Sequence, residues 1–570
     1  MPSLWGVHPA LPLLLGGLSL FLLRGRAAQV ALVLAPILGL WNLAGLDSAA
    51  AADAGVVELA GMRIDLLRVD RLSLLFGLLF HIAALLAAIY SLHLRDRVQL
   101  ATGLLYAGSA VGAVFAGDLL VLFLFWELLA VSSVFQVWCR RTEESRRAGM
   151  RYLLTHLTSG MLLLAGAGLR FVETGGLEFE GMTLDSTAAW LVLLAFGIKA
   201  AFPLLHTWLV DAYPAATVTG PVFLSAFTTK TAIYALARGF PGVELLVWVG
   251  AAMTMFPIFY AVIENDLRRV LSYSLINQLG YMVVGIGLGT ELALNGTVAH
   301  VFAHVLYKGL LFMSMGAVLL RTGRINGSDL GGLYKSMPWT AGFCMVGAAS
   351  ISAFPLFSGF VSKGMVMAAA AEEGRVAVWL MLLFASAGVF HHAGIKIPYF
   401  AFFAHDSGLR PREAPPHMLV AMALASALCV GIGCFPGLLY GLLPYPVEYV
   451  PYTVAHVVQQ LQLLFFSALA FTVLMLTRVY PPELRSVNLD VDWLVRRALP
   501  RLAAPAVGAL NVWTRAVRHA TSVSVQRTLR TVGRLHGPSG RFGEPWPSGV
   551  TAFWAALLLA VFVLSMAWSR

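Results

Sequence analysis

The chain has 570 residues, of which 59% are hydrophobic and 12% charged, with a formal net charge of +10. About a quarter of the residues in an ordinary soluble domain are charged, so a soluble fold this apolar would lack the polar side chains to cover its surface. Apolar runs of membrane-spanning length recur along the chain, and the basic surplus sits in short loops and one late segment, which fits membrane topology and argues against nucleic acid as a partner.

Runs long enough to cover a ~30 Å hydrocarbon core at about 1.5 Å per residue predict sixteen helices. They fall at about 9–24, 27–46, 72–92, 100–115, 117–138, 148–170, 188–210, 216–238, 242–263, 270–290, 294–320, 340–368, 376–403, 417–440, 455–479 and 548–568. The first is read as a retained helix, since no basic n-region or clear cleavage site marks a signal peptide. Alternate loops are basic: Arg24 and Arg26; Arg95 and Arg97; Arg140, Arg141, Arg146, Arg147 and Arg151; Arg268 and Arg269; then Arg321, Arg324 and Lys335. The intervening loops are acidic or nearly neutral, as with Glu173, Glu178, Glu180 and Asp185. One topology puts every basic loop in the cytoplasm and both termini outside.

Residues 481–546 hold ten arginines interleaved with apolar residues. That pattern predicts an amphipathic helix on the cytoplasmic surface, interrupted near Pro500 and Pro505, with 548–568 as a final anchor. Cys139, Cys344, Cys429 and Cys434 form no CxxC pair. Neither a disulfide framework nor a zinc or iron–sulfur site is expected, and no cofactor is.

"IKAAFPLLHTW" (198–208) and "SISAFPLFSGF" (350–360) share Ala-Phe-Pro in mid-membrane. Proline removes a backbone hydrogen bond and breaks a helix. Two such breaks predict repeated halves, and broken helices at the midplane point to an ion or substrate site.

A charged group at the bilayer centre costs ~2.5–3.5 kcal/mol on insertion scales, and here such groups are numerous. Glu127, Lys199, Lys230, His300, His304, Lys308 and Lys363 all sit in apolar runs. Steps of four place His300, His304 and Lys308 on one helix face over ~12 Å. A histidine changes charge near neutral pH, apolar surroundings disfavour a charged lysine, and a nearby carboxylate such as Glu127 favours it. These are the minimal parts of a proton relay. His156 and His206 also read as structural histidines, Asp118 and Asp211 as helix-end residues, and Lys335 and Lys396 as lysines that snorkel to the interface. His156, His206, Asp211 and Lys396 are kept as accessory relay candidates.

The stretches "FWELL" (125–129), "GIKAAFPLLHTWLVDAY" (197–213), "ENDLRRVLSYSLINQLGYMVVGIG" (264–287), "HVFAHVLYKGLLFM" (300–313) and "FPLFSGFVSK" (354–363) occur in this order. From about residue 69 to 444 the chain resembles the antiporter-like subunits shared by respiratory complex I and Mrp-type sodium/proton antiporters. The resemblance implies an all-α polytopic membrane protein with a fourteen-helix core, two inverted five-helix repeats, and breaks in helices seven and twelve. Residues 1–98 would hold the first three helices, 99–240 and 241–403 the two repeats, and 404–480 helices fourteen and fifteen. The basic segment, 481–546, and the anchor, 547–570, would follow.

The resemblance also implies that Glu127 pairs with Lys199, that Lys230 bridges the halves, and that His300, His304 and Lys308 relay protons to Lys363. The wording is most similar to the D-type subunit of Mrp antiporters. It departs from the family at "PAATVTGPVFLS" (214–225), and its basic segment resembles the lateral helix of the largest complex I subunit. The expected function is a proton-translocating subunit of a sodium/proton antiporter in a bacterial inner membrane. It would work with other membrane subunits, H+, Na+ and the lipid bilayer, and would carry no redox site of its own. Two alternatives share the same channel: a membrane-arm subunit of an NADH–quinone oxidoreductase or hydrogenase relative, and a subunit energising uptake of another solute such as inorganic carbon.

Overall fold

The computed structural model describes residues 8–46, 56–59, 62–484, 488–537, 540, 542–543 and 547–568. The chain forms two compact units, Met1–Asn488 and Leu489–Arg570.

In the first unit, α1 (Leu11–Ser19) and α2 (Gly25–Ala44) precede a hairpin of β1 (Val56–Leu59) and β2 (Met62–Asp65). The hairpin departs from the expected all-helical fold. Next come α3 (Arg71–Tyr90), α4 (Arg97–Val114), α5 (Leu119–Trp138) and α6 (Glu143–Thr174). The first broken crossing is α7 (Thr187–Lys199) with α8 (Thr207–Ala215), and α9 (Gly220–Ala226) with α10 (Thr228–Gly239) follows. Then come α11 (Glu244–Ile263), α12 (Leu267–Leu288) and α13 (Glu291–Thr322). The second broken crossing is α14 (Pro338–Ile351) with α15 (Ser358–Glu372), followed by α16 (Val376–Phe403), α17 (Pro416–Cys434) and α18 (Val454–Leu476). The second unit contains α19 (Leu499–His536) and α20 (Ser548–Trp568).

All sixteen expected segments are helical. Among the described residues, eleven helices are long and apolar enough to cross a membrane unaided. The other segments fall on α1, on α4 and on the three interrupted pairs. Side chains mark where the helices start. Asp70 and Ser73 form a capping box on α3, and Thr142 and Ser145 form one on α6. Asp118 accepts from the N–H groups of Leu120 and Val121 at the start of α5 and from Asp65 of β2, so it is a helix-end residue that also ties down the hairpin.

The basic loops meet at one end of the bundle. Arg140 donates to the Pro214 carbonyl, and the fully buried Arg268 donates to the carbonyls of Tyr213, Ala216 and Thr217. Both cations thereby satisfy free carbonyls at the C-terminus of α8. The helices α11 and α12 touch backbone to backbone. A Cβ on Gly280 would lie 2.6 Å from the Gly250 carbonyl oxygen, so only glycine fits there.

The two expected breaks have the same backbone. Ala201 and Leu204 take φ of 60° and 71°, and Ala353 and Leu356 take 57° and 72°. In each Ala-Phe-Pro-Leu the outer pair is left-handed, at roughly 1–2 kcal/mol per residue. A third interruption, at Phe227 between α9 and α10, was not predicted. Nor were two π-helical stretches in α16, at Phe390–Ile395 and Tyr399–Phe403.

The basic segment is helical through both prolines, and the irregularity expected near Pro500 takes the form of a π-helical stretch, Leu494–Ala498, that runs directly into α19, while Pro505 lies inside its 38 residues. Neither α19 nor α20 has a buried residue.

Candidate functional site

The four buried lysines of the expected relay are held by main-chain or neutral groups, and Lys199, Lys230 and Lys363 each find a carbonyl. The Lys199 ammonium donates to the Trp126 carbonyl of α5 at 2.6 Å and lies 4.2 Å from the centre of the Trp126 ring. The indole N–H in turn donates to Ser159 on α6, and that hydroxyl donates to the Ala195 carbonyl of α7. Glu127 is the next residue along α5, yet Lys199 is held by the backbone beside it, not by its carboxylate. The buried Oε1 of Glu127 has no hydrogen-bond partner among the described residues. Gly160 makes the room for it, because a Cβ there would sit 1.5 Å from Oε1.

Lys230 uses the interruption at Phe227. Its ammonium donates to the Ser225 carbonyl at 2.6 Å and to the Thr229 hydroxyl at 3.1 Å. Tyr234 and Arg238 continue the same face of α10 at steps of four. Arg238 donates to the Tyr234 hydroxyl and to both Asp70 oxygens, at 2.8, 2.9 and 2.8 Å, and borders a cavity of about 520 Å³ that Arg68 and Glu180 also line.

In the second half, His300, His304 and Lys308 are fully buried on α13. The His300 and His304 rings are 6.3 Å apart, and neither nitrogen of His304 has a hydrogen-bond partner among the described residues. The Nδ1 of His300 pairs with the Ser362 hydroxyl at 3.1 Å, one residue before Lys363. Lys308 donates to Ser274 on α12 at 2.9 Å. Lys363 donates to the Ile351 carbonyl at the second break at 3.1 Å and lies 5.1 Å from the centre of the Tyr281 ring. It also borders a cavity of about 390 Å³ shared with Tyr449, His456 and Gln460.

The accessory candidates separate. Asp211 is ion-paired with Arg151 at 2.6 Å, and His206 packs on Phe256. His156 is buried between Tyr152 and Trp208, with ring centres 4.2 and 4.4 Å away and no hydrogen bond to either nitrogen among the described residues. Lys396 does not snorkel. It is fully buried, donating to the carbonyls of Val262 and Glu264.

Sequence reasoning missed the polar stripe Ser274, Asn277, Gln278 and Tyr281. Ser274, Gln278 and Tyr281 face the histidine file, whereas Asn277 turns to α11 and donates to the Thr254 carbonyl: the Tyr307 hydroxyl donates to Gln278 Oε1 at 3.0 Å and lies 3.5 Å from His300 Nε2. The signal was legible as polar residues at helical spacing inside "SYSLINQLGY", on a helix buried throughout its apolar window.

Residues 116–391 match the family model described as NADH:quinone oxidoreductase/Mrp antiporter, TM. The chain is 30% identical over 308 residues to the D-type subunit of the Na(+)/H(+) antiporter from Alkalihalophilus pseudofirmus, covering 50% of this chain and 62% of that protein. It is 31% identical over 391 residues to NADH-quinone oxidoreductase subunit N of Desulforudis audaxviator, covering 62% of this chain and 77% of that protein. Against several other curated relatives the match spans between 40% and 61% of their length. Among solved structures, a chain of the Mrp complex from Dietzia sp. DQ12-45-1b aligns with a TM-score of 0.69 and 23% identity, over 76% of this chain and 95% of that one. A chain of an archaeal membrane-bound sulfane sulfur reductase aligns at 0.71 and 21%, over 98% and 99%. These two likenesses concern the fold. With its broken helices and its file of buried lysines and histidines, the chain belongs to the NADH:quinone oxidoreductase/Mrp antiporter transmembrane family.

Proposed function

We propose that this chain is the proton-translocating subunit of a multi-subunit monovalent-cation/proton antiporter of the Mrp type, resident in a bacterial inner membrane beside other membrane subunits, with Na+ as the exchanged ion. The observation that carries the reading is the buried file His300–His304–Lys308, which reaches Lys363 and its cavity through Ser362. Lysines held by carbonyls are suited to proton transfer. A carbonyl cannot accept the proton, so it positions the amine in both protonation states. Lys230 stands at the interrupted helix between Lys199 and the histidine file.

The test is pH-gradient quenching in everted vesicles carrying the whole complex. Sodium-dependent collapse of a preformed gradient, lost in Lys230→Ala, supports the antiporter. Full transport by an assembled Lys230→Ala complex rejects the relay.

A second reading, a membrane-arm subunit of a redox-driven complex, is supported by the overlap with the respiratory sulfane sulfur reductase chain, which takes in 98% of this chain against 76% for the Mrp chain. In the same vesicles that reading predicts no sodium response and a gradient generated by a reductant.

A further inference from the structure

We propose that the second half has its own proton-uptake route from the arginine-rich face, running from Glu483 through Lys396 and His392 to Lys308. The proposal deepens the proton-translocating reading and rests on it.

Three independent features place this route. The first is a buried ion pair. Lys396 Nζ lies 2.8 Å from Glu483 Oε1, and the two side chains are 0% and 6% exposed. Glu483 comes from the segment after α18, and neither of its oxygens makes a hydrogen bond of good geometry within the described residues. The pair sits beside the basic loop between α11 and α12: Glu264 lies 3.9 Å from Arg269 and accepts from Asn488 at 3.2 Å. An ion pair removed from water is a poor device for stability, so its presence asks for another reason.

The second feature is His392, four residues before Lys396. It is fully buried, neither ring nitrogen makes a hydrogen bond of good geometry among the described residues, and it lies within electrostatic reach of Lys308, His391 and Lys396. In the proposed route this ring hands its proton to Lys308, the one lysine of α13. The third feature is the backbone. The turn that carries His391 and His392 is π-helical, a rare geometry concentrated at functional sites. It presses on the second broken crossing, since a Cβ on Gly394 would lie 2.3 Å from the Ser352 hydroxyl.

Each step moves one proton. The protonated Glu483 carboxyl gives its proton to the neutral Lys396 amine and becomes a carboxylate. The Lys396 ammonium protonates the neutral His392 ring, and the imidazolium protonates the neutral Lys308 amine. Water on the arginine-rich face reprotonates Glu483. Burial, the largest influence on this carboxyl, raises its pKa above the ordinary value while Lys396 acts against it, which favours a carboxyl that can carry a proton.

The test compares Lys396→Arg and His392→Leu in everted vesicles of the intact complex, with each rate divided by the amount of complex assembled on native gels. Arginine keeps the pairing with Glu483 but does not release its proton. Each variant is expected to lose at least about tenfold in rate, and Glu483→Gln is expected to flatten the dependence on external pH. A wild-type rate in assembled Lys396→Arg or His392→Leu overturns the route. If Lys230→Ala abolishes transport in that same series, the proton-translocating reading survives. If Lys230→Ala also transports normally, both fall.

Discussion

The two broken crossings share a backbone and differ in chemistry. Around Ala201-Phe202-Pro203-Leu204 and Ala353-Phe354-Pro355-Leu356 the same pair of positions is left-handed. Beside the first break stand one carboxylate and one lysine, Glu127 and Lys199, with the lysine on the Trp126 carbonyl. Beside the second, Lys363 donates to the Ile351 carbonyl, and the residue before it, Ser362, pairs with His300. At the second break the interrupted helix offers its own free carbonyl to the lysine, whereas at the first the lysine uses a carbonyl of the unbroken α5.

The largest expected effect tests whether the halves are joined. Lys230→Ala removes the one lysine seated on the interrupted crossing between them and should lower proton-linked transport by about a hundredfold, the lower end for a positioned acid–base group. Gradient quenching checks this; a loss under about threefold would reject the relay through Lys230.

A smaller loss, about tenfold, is expected for Gly160→Ala. Its Cβ would collide with Glu127 Oε1, and overpacking of this kind costs roughly 1–3 kcal/mol. Rescue by Glu127→Asp in the double variant, read as transport per assembled complex, would show that the glycine serves the carboxylate. Ser274→Ala acts only on the second half. Lys308 loses its hydroxyl partner, and about 1 kcal/mol for one hydrogen bond corresponds to about fivefold in rate.

The smallest effect concerns the shared backbone. Ala201→Gly and Ala353→Gly relieve left-handed strain and should each stabilise the protein by about 0.5–1 kcal/mol. Thermal unfolding of the purified complex checks this. Unequal shifts would mean that the two breaks differ in a way their φ angles do not show.

Much of the site was legible because the bilayer makes it so. A lysine such as Lys199 or Lys230 with apolar turns on both sides stands out in any window, and so does the four-residue rhythm of His300, His304 and Lys308. Partners were not legible. Whether Lys199 sits on Glu127 or on the carbonyl before it depends on the rotamer and on the space at Gly160. Lys396 read as a snorkelling lysine because it lies close to a helix end. Its partner Glu483 lies far along the chain, in a loop with no apolar signature.

By itself the sequence determined the sixteen helical segments, the two proline breaks and most of the buried titratable groups, because hydrophobic length, proline geometry and the cost of a buried charge are local properties. The tertiary structure alone decided the interruption at Phe227, the π-helical turns of α16, the convergence of Arg140 and Arg268 on one helix end, and the pairing of Lys396 with Glu483. Each of these depends on which backbone groups are left unsatisfied when helices pack, and that is settled only in three dimensions.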